Sequence, residues 1–134
     1  MYIYNTKIRL FHTDAAKLIF YSSLFNIAYE CYEEFFEKSG FGVKKILDDG
    51  KFLIPVVHAE ADYFKPLRLG DKIEIRMTLN SLGKSSFTLD FVLFNELGEK
   101  TARVKTVNVV IEAKSGNPIK IPEKFLKILN SLNI

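Results

Sequence analysis

Asp14 is the residue whose type and position most strongly suggest chemistry. It is an acid in a short polar loop, His12-Thr13-Asp14, that precedes a long helical pattern. A helix N-terminus presents unpaired N–H groups and a partial positive charge, which can stabilise a developing oxyanion. A carboxylate beside it can act as a general base or as a nucleophile. The two features together are suited to a hydrolytic site, but the local pattern alone favours the alternative that Asp14 is an ordinary turn residue.

Other reactive side chains are few. His12 and His58 stand far apart in the sequence and have no cysteine partners, so we expect no metal site. Cys31 lies within the helical apolar stripe and is expected to be a small core residue rather than a nucleophile. The sequence has no G-x-S-x-G element, P-loop or G-x-G-x-x-G element. A Ser-His-Asp mechanism is disfavoured because only two histidines are available as bases.

The helix that must position Asp14 is predicted between Ser22 and Gly40. Its apolar residues recur at spacings of three and four, which indicates one buried face: Leu24, Ile27, Ala28, Cys31, Tyr32, Phe35 and Phe36. Ser22 and Ser23 suit the N-cap, and Ser39-Gly40 suits the C-terminal stop. Acids occupy another face, and among them Glu30 is either a solvated residue or a second acid near the site.

The remaining chain is dominated by strand patterns. Five segments are predicted as strands: 2–12, 51–64, 73–79, 87–93 and 100–113. Pro55 should place its strand at an edge or introduce a bulge. Residues 41–50 suggest a connection with a helical turn, and residues 121–134 predict a short helix starting near Pro122. After the first strand and the helix, four strands in hairpin succession predict an α+β fold with the helix across an antiparallel sheet.

Composition indicates one folded domain over residues 1–134. Hydrophobic residues make up 48% and charged residues 26%, which allows a substantial core. A net charge of +3 does not argue for a nucleic-acid partner, although it fits a modest basic patch for a phosphorylated ligand. The single cysteine excludes an intrachain disulfide and fits a cytoplasmic location. Neither a signal peptide nor an apolar run of roughly 20 residues is present, so we expect no membrane association.

The loop and the residues after it resemble hotdog-fold acyl-CoA thioesterases of the 4-hydroxybenzoyl-CoA thioesterase type. The family motif is T-D-x-x-G-[IV]-[VI]-[YFW]-[YF], and residues 13–21 read TDAAKLIFY. Downstream elements resemble the 1,4-dihydroxy-2-naphthoyl-CoA hydrolase branch: Tyr29-Glu30-Cys31-Tyr32-Glu33, Ile54-Pro55-Val56-Val57-His58-Ala59, Asp62-Tyr63-Phe64, Pro66 and Gly70-Asp71. The likeness covers essentially the whole chain.

This resemblance implies a hotdog fold, in which a curved antiparallel sheet of about five strands wraps the long central helix. It implies a homodimer or homotetramer with active sites at the dimer interface. Asp14 would be the catalytic carboxylate, either directly or through water, and the backbone N–H of Tyr21 would be the oxyanion donor. His58 would lie at the acyl pocket, with a half-buried structural histidine as the alternative.

The hairpin stretch Lys84-Ser85-Ser86 matches the family's segment near the coenzyme A phosphates, with a solvated turn as the alternative. The implied reaction is hydrolysis of an acyl-CoA thioester with no metal or redox cofactor, since coenzyme A is part of the substrate. The first candidate substrate is 1,4-dihydroxy-2-naphthoyl-CoA, followed by another aromatic or medium-length acyl-CoA. An acyl-carrier-protein thioesterase and a non-catalytic acyl-CoA-binding module are alternatives. A hotdog dehydratase is disfavoured because no histidine lies in the helix.

Two departures from the family pattern affect this interpretation. Lys17 stands where the family has Gly, so it should adopt an ordinary backbone or narrow the entrance, and its cation can contact a phosphate or carboxylate. Tyr29 stands where the naphthoyl-CoA branch has His, which puts the acyl group in question more than the reaction.

Overall fold

A computed structural model describes residues 1–133 and places the long helix α1, Ser23–Lys38, at its centre. The predicted apolar stripe is buried along its whole length: Leu24, Ile27, Ala28, Cys31, Tyr32, Phe35 and Phe36. The helix starts after Ser22 and stops at Ser39, and Gly40 follows with a left-handed φ of 82°. The helix prediction is therefore confirmed, although the Ser22 side chain makes no capping hydrogen bond.

Two sheets and two shorter helices complete the described fold. The five-stranded antiparallel sheet has the order β1-β4-β5-β6-β3, and a small sheet pairs β2 with β7. The other elements have these bounds: β1 Tyr2–Lys7, α2 Val43–Asp49, β2 Phe52–Leu53, β3 Val56–Tyr63, β4 Lys72–Leu82, β5 Ser86–Phe94, β6 Lys100–Val109, β7 Ile111–Glu112 and α3 Glu123–Asn130. The predicted C-terminal helix is thus present, and Ile134, the last residue of its predicted segment, lies outside the described residues.

The core lies between the inner face of the large sheet and α1. Alternate residues of β4 and β5 point into it, as the period-two pattern predicts: Ile73, Ile75, Met77, Leu79, Phe87, Leu89, Phe91 and Leu93. Phe36 of α1 stacks on Phe125 of α3, with ring centroids 5.0 Å apart. The C-terminal helix therefore closes one end of the core and holds α1 against the sheet.

The first predicted strand, 2–12, is too long. β1 ends at Lys7, and Leu10–His12 forms a short 3-10 turn. The ring nitrogen Nδ1 of His12 accepts the N–H of Arg9 at 2.9 Å, so a side chain rather than a neighbouring strand satisfies that donor.

The predicted hairpin succession is wrong for β3. This strand pairs with β6 at the edge opposite β1, and the segment between β3 and β4 crosses the sheet. The single strand predicted over residues 51–64 is divided at Pro55 into β2 and β3, which lie in different sheets. β3 is an edge strand with most residues exposed, as Pro55 predicts. The predicted strand 100–113 is also broken, because the N–H of Val110 turns to the carbonyl of Ser85 at 2.8 Å.

Candidate active site

The Asp14 loop is a tight turn, and backbone pairing closes it at its base. Thr13 and Ile19 form an isolated antiparallel bridge. Within the loop, the N–H of Lys17 donates to the carbonyl of Asp14 at 3.0 Å, and the N–H of Asp14 donates to the carbonyl of Leu18 at 2.9 Å. These bonds fix the backbone on both sides of the acid, so Asp14 sits on a rigid turn rather than a free loop.

The carboxylate of Asp14 is held through one of its two oxygens. Its Oδ1 accepts the N–H of Ala16 at 2.8 Å and the N–H of Leu18 at 3.4 Å. Within residues 1–133, Oδ2 has no hydrogen-bond partner, and the residue is exposed. Asp14 is therefore a turn residue, as the local pattern allowed, and it also presents an oriented free oxygen to solvent.

Lys17 occupies the loop position where the family has Gly, and its φ is 62°. Among residues 1–133 it is the one non-glycine residue in the left-handed region. Of the two alternatives for Lys17, the ordinary backbone is not the one adopted: the residue keeps the glycine conformation, at a strain of about 1 kcal/mol. The loop shape is therefore compatible with the family motif, with a cation added beside Asp14.

The far side of the loop is fixed by the segment that leads into β4. Leu18 bridges to Arg68, the N–H of Ile19 donates to the carbonyl of Leu67 at 2.8 Å, and the N–H of Leu69 donates to the carbonyl of Lys17 at 3.0 Å. A groove of about 340 Å³ opens beside this pairing, lined by Leu18, Ile19, Tyr63, Phe64, Lys65, Pro66 and Leu67. The loop thus stands next to a mostly apolar depression at the surface.

The backbone at Tyr21 is arranged to donate. The carbonyl of Phe20 accepts the N–H of Ser23 at 2.9 Å, which fixes the peptide between Phe20 and Tyr21. In a trans peptide the N–H points opposite to the carbonyl. Within residues 1–133, the N–H of Tyr21 therefore has no acceptor and points away from the first helical turn. This is the arrangement an oxyanion donor needs.

Tyr63 is a site residue whose part the sequence reasoning missed. Its hydroxyl donates to the carbonyl of Tyr21, which links the end of β3 to the start of α1. Burial raises the pKa of Tyr63, so its hydroxyl stays protonated at neutral pH and remains a donor. The only sequence signal was its place in the Asp62-Tyr63-Phe64 element, which does not reveal the contact.

His12 and Glu30 form a second arrangement that the sequence did not reveal. The His12 side chain is fully buried, and its Nε2 lies 3.7 Å from Oε1 of Glu30. Burial lowers the pKa of His12, with Glu30 opposing and Arg9 adding to the shift. Glu30 is half-buried and faces this ring, so it does not belong to a fully solvated acidic face. Its partner in the described chain is His12 rather than Asp14.

The remaining predicted site residues lie elsewhere in the protomer. His58 is 59% exposed in the single protomer, and its Nε2 lies 3.4 Å from Oε1 of Glu60. Lys84, Ser85 and Ser86 form the tip between β4 and β5, at the end of β4 opposite the Asp14 loop. One protomer therefore brings together Asp14, Lys17 and Tyr21 but not His58 or the 84–86 tip.

Other features of the described chain carry no competing site. Burial raises the pKa of the Cys31 thiol to about 12, so this residue is a core side chain, as predicted. Within residues 1–133 no three metal-ligating side chains cluster. None of the helices there is both long and apolar enough to cross a membrane. A larger depression of about 600 Å³ between β1 and β4 contains none of the predicted site residues.

Known proteins resemble this chain in sequence and in fold. The model of the thioesterase-like superfamily matches residues 9–129, which include the loop, α1 and the whole large sheet except β1. The chain belongs to this superfamily. As a member of it, the protein is a thioester hydrolase.

Individual relatives agree with the family assignment. A 1,4-dihydroxy-2-naphthoyl-CoA hydrolase from Gloeothece citriformis is 33% identical, covering 99% of this chain and 94% of the relative. One from Rippkaea orientalis is 35% identical, covering 96% and 94%. The crystal structure of a 1,4-dihydroxy-2-naphthoyl-CoA thioesterase from Synechocystis has a TM-score of 0.92 at 23% identity, covering 98% and 97%. The last likeness concerns the fold, and it confirms the predicted hotdog arrangement.

Proposed function

We propose that this thioester hydrolase cleaves an acyl-CoA to the free acid and coenzyme A, with Asp14 as the catalytic carboxylate. The observation that supports the proposal is the way in which the Asp14 carboxylate is held. Two backbone N–H groups hold Oδ1, while Oδ2 is open to solvent. A carboxylate that is oriented but still available is suited to attack or to proton abstraction. The names of the relatives support coenzyme A thioesters as the substrate class.

The reaction needs only groups that this loop and the start of α1 supply. In one route Oδ2 of Asp14 takes a proton from water, and the resulting hydroxide attacks the thioester carbonyl carbon. The N–H of Tyr21 stabilises the oxyanion, and collapse breaks the C–S bond. The departing thiolate then takes the proton from Asp14. In the alternative route Oδ2 of Asp14 attacks the thioester carbonyl carbon, and collapse breaks the C–S bond and releases the coenzyme A thiolate. Water then hydrolyses the mixed anhydride to the free acid and the Asp14 carboxylate, and the proton released in this step neutralises the thiolate.

The two routes are distinguished by a single turnover in water enriched in oxygen-18. Direct attack by Asp14 gives a mixed anhydride. If water adds to the side-chain carbonyl carbon of Asp14, one heavy oxygen remains in the Asp14 carboxylate. The water route places heavy oxygen in the acid product and none in Asp14, as does direct attack when water adds at the substrate's acyl carbon, so heavy oxygen in Asp14 is the result that identifies direct attack. Mass spectrometry of the peptide that contains Asp14 gives the answer.

We further propose that the site is completed by a second copy of the chain. The Asp14 loop pairs with residues just before β4, and the Lys84-Ser85-Ser86 tip follows the end of β4. An 11-residue strand extends over about 35 Å, so one protomer separates the two groups by that order of distance. A coenzyme A phosphate at the tip and a thioester at Asp14 therefore call for different protomers.

The exposed edge of β3 supports this arrangement. An unpaired edge invites pairing with another chain, and an antiparallel pair related by a two-fold axis places the start of one strand beside the end of the other. Val110 and Val109 bond to Ser85 and Pro55, so the tip lies at the start of β3. Tyr63, which contacts Tyr21, lies at its other end. Pairing of two β3 edges therefore directs the partner's tip toward Asp14.

Within this dimer the cations would bind the phosphorylated part of the substrate. Lys17 lies beside the acid, and Lys84 with the hydroxyls of Ser85 and Ser86 would contact coenzyme A phosphates. His58 lies on the β3 edge, where the paired strand would cover it, and we assign it to the acyl side of the site. Whether two dimers associate further is decided by measuring the mass of the particle in solution.

The acyl group is proposed to be aromatic. An apolar pocket of about 220 Å³ lies between α1 and α2, lined by Tyr29, Tyr32, Glu33, Val43, Ile46, Leu47 and Ile54. Tyr29 is six residues after Ser23, the first residue of α1, which corresponds to about 9 Å along the helix. Tyrosine rings offer flat apolar faces to an aromatic acyl group. The first candidate is 1,4-dihydroxy-2-naphthoyl-CoA, since hydrolases of that compound are among the relatives.

The test is thiol release from a panel of thioesters, including 1,4-dihydroxy-2-naphthoyl-CoA, benzoyl-CoA, hexanoyl-CoA and an acyl-carrier-protein thioester. We expect Asp14→Asn to lower kcat by about 10²- to 10⁴-fold. Asp49→Asn, which removes an exposed acid at the end of α2, serves as the matched control. Turnover that survives Asp14→Asn would overturn the role of this residue. Binding of coenzyme A without turnover of any thioester would instead indicate a binding module.

The proposal assigns no metal, redox cofactor, nucleic acid or membrane to the reaction. A carboxylate and a backbone N–H supply all the chemistry it requires, so we expect turnover to be unchanged by EDTA. We place the activity in the cytoplasm, with the single reduced cysteine, Cys31, as support.

A further inference from the structure

His12 is the part of the site that the hydrolytic steps do not use. It directly precedes Thr13 and Asp14, yet its side chain is fully buried. The N–H of Arg9 donates to Nδ1 at 2.9 Å, so the neutral ring carries its proton on Nε2. Burial lowers the pKa of His12, and the neutral ring is therefore the form present at neutral pH. A fixed tautomer leaves one directional donor, the Nε2–H.

That donor is left without a hydrogen bond inside the protein. Within residues 1–133, Nε2 of His12 is a buried nitrogen with no partner. The carboxylate oxygen Oε1 of Glu30 lies 3.7 Å away, beyond the usual limit of about 3.2 Å for a bond from nitrogen to oxygen. A buried donor without an acceptor destabilises the fold, and a phenyl ring would fill the space without that penalty. A displacement of under about 1 Å would complete the bond.

The pair joins the two elements that carry the proposed catalytic groups. The carbonyl of His12 accepts the N–H of Phe20 at 2.8 Å, which closes the Asp14 loop at its base. Glu30 lies on α1, whose first turn follows Tyr21. A bond between His12 and Glu30 would therefore fix the loop relative to the helix.

We propose that His12 is a positioning residue, whose Nε2–H binds Glu30 in the substrate complex and fixes Asp14 relative to the Tyr21 N–H. This inference rests on the proposed function of Asp14 and Tyr21. Hydrogen bonds in active sites are often long in the free enzyme and shorten when substrate binds. In this scheme His12 neither contacts the thioester nor exchanges a proton with it.

The kinetic test uses variants that separate the donor from the ring volume. His12→Phe keeps the volume but removes the donor, and we expect kcat to fall about 10- to 100-fold with KM within about twofold. His12→Gln restores an amide donor and should recover most of kcat. Glu30→Gln keeps an acceptor oxygen and should lose less than Glu30→Leu. Glu34→Gln, one turn further along α1 in an exposed pair with Lys38, is the matched control.

A second measurement does not depend on turnover. The chain has only two histidines, so proton NMR can follow the His12 ring directly. The charged groups that face it are Glu30 on α1 and Arg9 in the preceding turn. Removing the Glu30 charge in Glu30→Gln should lower the pKa of His12 further, and Arg9→Gln should raise it. This readout remains available if His12→Phe fails to fold.

The outcomes test the bond between His12 and Glu30 separately from the catalytic role of Asp14. A His12 pKa that is unmoved by Glu30→Gln overturns the pairing, whether or not the enzyme is active. A normal kcat in His12→Phe overturns the positioning role while Asp14→Asn still tests the reaction. Loss of kcat in both His12→Phe and His12→Gln indicates a merely structural ring and also overturns it. Recovery by His12→Gln, together with the NMR shift, supports it.

Discussion

The hydroxyl of Tyr63 donates to the carbonyl of Tyr21, joining the last residue of the edge strand β3 to the backbone just before α1. This bond orients the peptide between Tyr21 and Ser22, next to the N–H that is proposed to stabilise the oxyanion. It also lies where the partner's β3 would begin in the proposed dimer. The start of α1 is therefore held by an edge strand rather than by a capping side chain.

Removing that hydroxyl should slow the reaction without unfolding the protein. A neutral hydrogen bond contributes about 0.5 to 1.5 kcal/mol, so we expect Tyr63→Phe to lower kcat by about 2- to 10-fold. Tyr2→Phe removes a hydroxyl from β1 and provides the comparison. Thiol release measures both variants, and equal rates for Tyr63→Phe and wild type would contradict the orienting role.

Relieving the left-handed backbone at position 17 should stabilise the chain. Glycine reaches a φ near 62° without the penalty of about 1 kcal/mol that a lysine has there, whereas alanine keeps the penalty. We therefore expect Lys17→Gly to unfold in urea with a free energy about 1 kcal/mol above that of Lys17→Ala. Equal stabilities for the two variants would show that the loop relaxes around position 17.

The same pair of variants tests the Lys17 cation. If the ammonium binds a phosphate or carboxylate of the substrate, both substitutions should raise KM to a similar extent. A gain in kcat confined to Lys17→Gly would instead show that the strained backbone of lysine at position 17 lowers the rate of thioester hydrolysis. Steady-state kinetics at low ionic strength gives the largest contrast, because salt weakens exposed charge interactions.

Mixed dimers should recover activity that neither parent has. A site built from Asp14 of one protomer and Lys84 of its partner is intact when an Asp14→Asn chain pairs with a Lys84→Ala chain. Random exchange of two-fold dimers would restore about one quarter of wild-type activity. If each protomer carried its own complete site, mixing the two purified variants and allowing exchange would restore nothing.

Acyl preference should depend on Tyr29. Its ring lies 5.2 Å from that of Tyr32, and both line the pocket between α1 and α2. We expect Tyr29→Ala to lower kcat/KM for an aromatic acyl-CoA by about fivefold and to change that for hexanoyl-CoA much less, since stacked aromatic contacts contribute about 1 kcal/mol. Equal losses of kcat/KM on both substrates would show that the acyl group does not bind against Tyr29.

Stability should fall as the solution is acidified through the ordinary histidine range. The pKa of His12 is lowered in the fold, so below about 6.5 the unfolded chain binds a proton that the folded chain does not. Stability from this group is complete above that pH and decreases as pH drops toward the folded pKa. Urea unfolding at pH 7.5 and 5.5 should show a smaller difference for His12→Gln than for wild type.

Much of this fold could be predicted because its signals are local. The stripe from Leu24 to Phe36 repeats every helical turn, and the alternation in β4 and β5 assigns each side chain to a face. The position of Asp14 before the helix was visible for the same reason. The place of β3 was not, since pairing with β6 joins residues about 40 to 50 positions apart and leaves no mark in either strand alone.

The site was predicted where a motif described the backbone and missed where it depended on contacts. The family Gly at position 17 signals a left-handed turn, and Lys17 retains that turn. The contact between His12 and Glu30 spans the whole loop, and that between Tyr63 and Tyr21 spans 42 residues. Such contacts depend on packing, so residue type and spacing could not reveal them.

Because the edge of β3 is exposed, the register in which two β3 strands pair would determine the length of substrate that the site accepts. If the partner's tip binds the phosphates and Asp14 receives the thioester, the spacing between them is set by how two β3 edges align. A slip of two residues per strand keeps every side chain on its face and moves the tip by about 7 Å. The bulge between Val56 and His58 would then limit the register of the paired strands. It would thereby set the length of the pantetheine arm that fits between the tip and Asp14.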